Sequence, residues 1–344
     1  MLLTEQETLQ RILDAAEPLV TEDVPIAEAG DRILASTLFA RIALPAFNNS
    51  SMDGYAVIAH EVRPGTRLAV AGEQSAGLDR QLRVKPGTAV RIFTGAPLPE
   101  GADAVLMQED AERSGDEIVV RTELQPGENV RLRGGDLCEG QKIGESGTRL
   151  NAQRLALLAS QGVSRVTAYR RPRVSVVVTG SELRQPDASL GPGEIYETNG
   201  IMLSELVRKS GGSPVYFDPI PDDEEAHIRT LAEALQSDVV IIAGGVSVGE
   251  KDLVKPVLRK LGAEIALWRV AIRPGKPFLF GWLGRKLIFG LPGNPVSAYV
   301  TFVVFVRPAL LRLQGCSGEP NLRTKVIAGQ RLRNPGERPH YLRG

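Results

Sequence analysis

Three runs in the second half of the chain restrict its fold more than any other feature: "RVSVVVTG" (173–180), "SDVVIIAGG" (237–245) and "KLIFGLPG" (286–293). Each is apolar without alternation and stops at glycine, the pattern of a strand covered on both faces. Helical periodicities separate and follow them. "TNGIMLSELVRKSGG" (198–212) closes at Gly211, residues 222–236 space Ile228, Leu231, Ala232 and Leu235 on one face, and "KDLVKPVLRKLG" (251–262) continues the series. "SPVYFDPI" (213–220) supplies a further strand, and an apolar helix follows Asn294. Repeated βα units of this kind predict an α/β fold with a parallel, doubly wound sheet.

The first half reads differently. Thr4 and Glu7 form a capping box ahead of Leu9, Ile12, Leu13 and Ala16, and Asn151 to Gly162 frames a second short helix. Between them, Pro-Gly pairs at 64–65, 86–87 and 126–127 punctuate β-rich runs such as "AVRIF", "AVLMQ" and "EIVVR". That texture predicts a small β-rich region, 46–140, inserted into another domain. A chain of 344 residues exceeds one ordinary core, so several domains are expected. Residues 323–344 begin a β-like segment, "RTKVIAGQRLR", that is too short to bury a core of its own.

Composition removes several classes of function. Lys+Arg and Asp+Glu both number 41, so the basic excess of a nucleic-acid binder is missing. Two distant cysteines, Cys138 and Cys316, suggest neither a disulfide framework nor a metal knot. His60, His227 and His340 are isolated, and no Gly-x-Ser-x-Gly elbow occurs. The start lacks the charged and apolar regions of a signal peptide. The most apolar stretch, 296–313, reads as a helix buried in a core, because its run before Arg307 is short for a bilayer and Pro308 follows. A reducing cytoplasm, with no membrane partner, is the expected setting.

Ligands of an open parallel sheet sit outside the carboxyl ends of its strands. Those ends read "TGSEL" (179–183), "PDDEE" (221–225), "GGVSVGEKD" (244–252) and "GLPGNPVS" (290–297), joined by the turn "RPGKP" (273–277). Glu182, Asp252, Arg273 and Lys276 would thus share one edge. Bland alternatives stand beside each: Asp222 or Asp223 as a helix cap with Glu225, Lys251–Asp252 as an exposed ion pair, Asn294 as the cap of a tight turn. The mixture of signs implies an anionic ligand together with a divalent cation. Mg²⁺ suits that setting best, because it takes one or two carboxylates plus phosphate oxygens and water. In the first half, "NNSSMDGYAV" (48–57) leaves a choice: Asp53-Gly54 is an ordinary turn signal, or Asp53 directs its carboxylate at a ligand.

With these residues in view, the sequence resembles the MoeA family, the molybdopterin molybdenumtransferases that include the gephyrin E domain. The stretches that carry the resemblance run in order along the chain: "LPAFNNSSMDGYAV" (44–57), "RIFTGAPLPEGADAVLMQED" (91–110), "RGGDL" (133–137), "TGSEL", "IYETN" (195–199), "GGVSVGEKD", "AIRPGKP" and "GLPGNPVS". The resemblance implies four regions: an elongated helical and β domain (1–45 and 141–169), the inserted β domain (46–140), a MogA-like α/β domain (170–318) and the start of a C-terminal β domain (319–344). It implies Mg²⁺-dependent cleavage of adenylylated molybdopterin, release of AMP, and insertion of molybdate into the dithiolene to give molybdenum cofactor. It further implies a homodimer whose cleft draws on both subunits, and contacts with other proteins of molybdenum cofactor biosynthesis.

Residue by residue, Asp53, Thr94 and Asp136 match positions that face this cleft from the partner subunit. Glu182, Asp222, Asp252, Arg273, Lys276 and Ser297 match positions of the α/β side. Glu182 and Asp252 would serve the metal or a water at phosphorus, Lys276 and Arg273 would neutralise the anion, and Gly245, Ser247 and Asn294 would bind the ligand. Arg338 and Arg343 match the opening of the last domain, where the family places part of its molybdate-binding surface; the shortened end carries the expectation of poor molybdate insertion. Three departures accompany these matches: Asn48 and Ser181 where the family commonly has Asp, and Arg273 where Lys is frequent. Two other readings remain, a scaffold or anchoring module of the gephyrin type and a molybdopterin adenylyltransferase sharing the α/β domain.

Overall fold

The computed structural model describes residues 2–246, 253–317, 324–334 and 336–342. It divides into two compact units, one of residues 1–37, 144–159 and 163–344, the other of 38–143 with 160–162.

In the larger unit a six-stranded sheet runs in the order Ser213–Tyr216, Arg173–Val178, Val239–Ala243, Lys286–Leu291, Pro277–Leu283, Glu264–Arg269. The first four strands are parallel, as the three glycine-terminated runs and "SPVYFDPI" predict. The last two are antiparallel and were not expected. The purely parallel sheet is therefore corrected to a mixed one. Glu264–Arg269 is an edge strand with irregular register, and only Leu267 in it is buried, so it lacks the continuous apolar signal of its parallel neighbours.

Period-two alternation divides the sheet into two dry layers. Val174, Val176, Val178, Ile241 and Phe289 join one core, with Leu203 and Val207 of helix Asn199–Lys209, Phe302 and Phe305, and Ile12 of helix Glu5–Ala15. Val177, Val240, Ile242 and Ile288 join the other, with Leu231 of helix Glu224–Ala234 and Val257 of helix Val254–Lys260. Phe278 stacks 4.6 Å from Phe305 and Phe280 lies 5.3 Å from Phe289, centroid to centroid. Burying each such ring contributes about 1.5–3 kcal/mol. At the amino edge of the sheet Arg170 grips Asp238 through two bonds of 2.8 and 3.0 Å, and Asp238 also accepts the Arg173 amide at 2.7 Å. Burial pushes the Asp238 carboxyl up, but Arg170 and that amide outweigh it and hold the group below its ordinary value.

The apolar helix forms over Pro295–Leu313, long and apolar enough to cross a membrane by length and composition. Phe302, Phe305, Val306, Ala309, Leu310 and Leu313 instead pack into the core. Pro308 does not stop it. The turn Phe302–Val306 is a π-helix, and its wider ladder admits the proline ring and its missing N–H. Residues 324–334 form no strand and are exposed, which differs from the β-like reading: a strand needs a ladder partner, and none of the described segments supplies one.

The smaller unit, 38–143 with 160–162, is rich in β-strands. Its six strands run Ala104–Met107, Gly54–Val57, Thr88–Ile92, Arg67–Gln74, Glu117–Val120, Ala111–Ser114, all antiparallel except the Arg67–Gln74/Thr88–Ile92 pair. Gly54 is a packing requirement here. A Cβ at that position would stand 1.9 Å from the Leu106 carbonyl oxygen of the adjacent strand. Gly54→Ala is expected to destabilise this unit by about 3 kcal/mol or more, a clash that must displace backbone; thermal unfolding followed by circular dichroism reads it as a lower Tm than wild type.

Candidate active site

The sheet order reverses beside Arg173–Val178. From that strand the chain crosses outward to Ser213–Tyr216 and returns on the other side to Val239–Ala243. The crevice of a doubly wound sheet opens at such a reversal. Here it lies between Thr179–Gly180 and Gly244–Gly245. The ends are stitched together: the Thr179 amide donates to Ala243 O at 3.0 Å, and the Gly244 amide to Leu291 O at 3.1 Å. Gly244 (φ +93°) runs so close to its neighbour that a Cβ would meet Thr179 O at 2.7 Å. Only a bare backbone passes there.

Around that crevice the tips take distinct parts. Ser181 Oγ accepts the Asp222 amide at 2.9 Å, tying "TGSEL" to "PDDEE". The helix cap is Asp223, whose carboxylate accepts the Ala226 amide at 2.7 Å. That leaves the exposed Asp222 and Glu182 carboxylates without a hydrogen-bond partner among the described residues. Glu182 folds back over Gly180, where an added Cβ would meet its Oε2 at 2.6 Å. Asn294 is a cap as well: its Oδ1 accepts the amides of Val296 at 3.0 Å and Ser297 at 3.3 Å. Its Nδ2 keeps no partner among the described residues, and a Cβ added to Gly293 beside it would stand 3.7 Å from Gly244 Cα.

The cations approach from the antiparallel strands. Leu279 pairs with Gly290, which brings the start of Pro277–Leu283, and Lys276 before it, to the end of Lys286–Leu291. Lys276 is exposed there. Arg273 precedes a cis proline, donates its amide to Pro339 O at 2.9 Å and accepts the Tyr341 amide at 2.7 Å. Arg338 reaches Ile272 O at 3.4 Å, so the Arg273 and Arg338 segments meet. Of the residues named from sequence, Glu182, Asp222, Gly245, Lys276, Asn294 and Ser297 gather at the carboxyl edge of this sheet. Ser247, Asp252 and Arg343, with the neighbouring Lys251, lie outside the described residues.

In the smaller unit the Asp53 question has a definite answer. One oxygen, Oδ1, accepts both the amide and the hydroxyl of Thr94, each at 2.8 Å. The Thr94 amide, then its hydroxyl, and the charge of Arg91 hold the Asp53 carboxyl below its ordinary value. Arg91 is itself fixed over the rings of Tyr55 and Phe93, 5.0 Å from each centroid. Asp53 thus shapes the turn with one oxygen and keeps the other exposed. Asp136, the third residue named here, pairs with Arg131 at 2.5 Å, and Arg131 faces Asn49 across a short ladder. Asp53 with Thr94 and Asp136 with Arg131 therefore flank the same "NNSS" segment.

Sequence reasoning assigned no role to Glu197 and Asn199 of "IYETN". Glu197 is buried to 1 % exposure, accepting the Gly200 amide at 2.6 Å and the Tyr216 hydroxyl at 3.3 Å. Burial first, and the charge of Glu197 after it, push the Tyr216 hydroxyl up to about 12. A glutamate in a polar run gave no sign that it would be enclosed.

Known proteins match this arrangement along its length. A family model described as the MoeA N-terminal region (domain I and II) matches residues 3–162, and one described as a probable molybdopterin binding domain matches 175–312. A molybdopterin molybdenumtransferase of Haemophilus influenzae is 41 % identical over 317 residues, 92 % of this chain and 78 % of that protein. The chain belongs to the MoeA family. A second family relative, the molybdopterin molybdenumtransferase of Nostoc, is 38 % identical over 94 % of this chain and 77 % of its own length. Among solved MoeA structures, that of a molybdopterin biosynthesis MoeA protein from Pyrococcus horikoshii superposes with a TM-score of 0.77 at 34 % identity, covering 92 % of this chain and 81 % of that one.

A depressed pKa keeps Asp53 ionised while an ordinary carboxyl begins to protonate, and whatever that charge contributes is lost only as pH falls to the lowered folded value. Thr94→Val removes the hydroxyl donor and is expected to raise the Asp53 titration toward the ordinary range. Carboxyl ¹³C NMR against pH measures it; an unmoved titration contradicts the assignment.

Proposed function

We propose that the chain is a molybdopterin molybdenumtransferase: it binds adenylylated molybdopterin at the carboxyl edge of the six-stranded sheet, promotes attack of water on the phosphoanhydride with departure of AMP, and transfers molybdate, a substrate, to the dithiolene. The observation that carries the reading is the combination of free carboxylates and an exposed lysine at one sheet edge in a member of this family. Carboxylates by themselves repel a phosphate; beside a cation they help to hold it.

The donor set fits Mg²⁺. Glu182 and Asp222 are exposed carboxylates not consumed by capping, and Mg²⁺ needs only one or two such ligands when a substrate supplies phosphate oxygens. Glu182, with Asp252, would hold it; when bound it neutralises phosphate charge and polarises the phosphorus centre. The protein's own groups do the rest. Lys276 and Arg273 draw the anion to the edge. Gly244 and Gly245 let the ligand approach backbone without a side chain between. Asn294 offers Nδ2 while its Oδ1 stays on the helix. Gly-rich turns and buried strands fix these groups before the ligand arrives, which is where most of such rate enhancement originates.

Asp53, Thr94 and Asp136 complete the site from the partner subunit of a homodimer in this reading. The paired segments Asn49–Ser50 and Val130–Arg131 support it, since exposed Phe47, Met52 and Leu132 flank them at 46 %, 42 % and 61 % exposure. The cytoplasm supplies the reducing setting that a dithiolene needs. The match of residues 3–162 to the MoeA N-terminal region disfavours an adenylyltransferase built on the α/β domain alone.

AMP release from adenylylated molybdopterin, followed by chromatography with and without Mg²⁺ and molybdate, tests the reading. Wild type is expected to release AMP only with the divalent ion, and Lys276→Ala or Glu182→Gln to slow release about a hundredfold. Wild-type rates in both variants would remove this edge from the reaction. Sedimentation velocity at micromolar concentration is expected to show a dimer that Leu132→Asp weakens. A strictly monomeric wild-type protein leaves Asp53 no cleft to serve.

A further inference from the structure

The Asn199 side chain makes one hydrogen bond and forgoes another. Its Nδ2 donates to Gly293 O at 2.7 Å. That contact fixes the amide's orientation, because only nitrogen can face a carbonyl. Its Oδ1 is buried and has no partner among the described residues. An orphaned buried acceptor opposes folding, and a smaller apolar side chain would not carry it. The orphaned oxygen offsets what the Nδ2 bond contributes to stability. What it supplies is a hold on Gly293.

Gly293 occupies a sensitive place. It lies between the strand end at Leu291 and the capping Asn294, and a Cβ added to it would stand 3.7 Å from Gly244 Cα at the crevice. A turn of Pro and Gly has little of its own to choose between peptide orientations. One donor from a rigid neighbour chooses for it. The neighbour is rigid because Glu197 is. The buried Glu197 carboxylate accepts the Gly200 amide at 2.6 Å and the Tyr216 hydroxyl at 3.3 Å. Gly200 admits nothing more, since a Cβ there would meet the Tyr216 ring at 2.2 Å. The start of helix Asn199–Lys209 is thereby clamped to strand Ser213–Tyr216.

We propose that Asn199 is a positioning residue for the ligand site: held by Glu197, it fixes the Gly293 peptide and thereby the Gly-Leu-Pro-Gly-Asn turn in the shape that receives the nucleotide phosphate. This rests on the transferase reading for the identity of the ligand, though not for the existence of the site. It assigns Asn199 no contact with reacting atoms. Its loss weakens binding and leaves the chemical step largely in place.

The test uses the full chain with AMP as the probe, in parallel with turnover of adenylylated molybdopterin. Asn199→Ala and Asn199→Asp are expected to weaken AMP binding by calorimetry about tenfold or more, and to raise KM while kcat stays within about threefold. The aspartate matters because it keeps the shape but turns an oxygen toward Gly293 O. The Tm of Asn199→Ala is expected to equal or exceed that of wild type, since the variant sheds the orphan oxygen. A lowered Tm with unchanged AMP affinity makes Asn199 a structural residue only and overturns the proposal, as does unchanged affinity at unchanged Tm. Wild type that binds AMP but turns nothing over, alongside variants that bind it poorly, upholds the inference while the transferase reading fails.

Discussion

The approach of the Gly244 backbone to Thr179 is the contact on which the rest of the structure depends. Strands buried on both faces carry few polar side chains, so they deliver their chemistry beyond their ends. Three of them end at the same edge, and their carboxyl ends can lie side by side only if bare backbone passes between them. The glycines that end each run make this possible. The same two-sided burial that stabilises the sheet thus concentrates Glu182, Asp222, Lys276 and Asn294 in one place.

The candidate residues of each unit divide by whether their hydrogen-bonding capacity is already committed. Asp53, Asp136, Asp223 and Asn294 are engaged by Thr94, Arg131, the Ala226 amide and the Val296 and Ser297 amides respectively. Glu182 and Asp222 are not, among the described residues. Committed groups define loop shape with little freedom left. Under the proposed function, the uncommitted carboxylates are the groups left to meet a cation beside a phosphate.

Much of this is legible in the sequence. Continuous apolar runs ending in glycine identified the parallel strands, and Thr4 with Glu7 marked the first helix as a capping box, which forms as read. The antiparallel strands Glu264–Arg269 and Pro277–Leu283 escaped notice: irregular register and partial exposure blur the periodicity of the first, whereas the second is a buried apolar run whose direction no local pattern records. The apolar stretch 296–313 forms the buried helix that was read there, Pro308 included, though spacing cannot foresee its π-turn. At the site, residue types and their order placed Asp222 beside Asp223 without choosing the cap; the choice depends on backbone angles. Glu197 and Asn199 were invisible for a related reason. Burial of a polar side chain is decided by what the fold lays over it, and no local pattern records that.

The helix Pro295–Leu313 has a consequence for how the chain is made. It emerges from the ribosome after every strand of the sheet that covers it, and long after helix Glu5–Ala15, whose Ile12 packs in the same layer. A segment apolar enough to be mistaken for a membrane span therefore arrives when its cover is already synthesised. Its exposure to the cell lasts only for the time it takes to dock. Reordering the chain so that this helix came first would leave it bare throughout translation, a hazard that the native order of synthesis avoids.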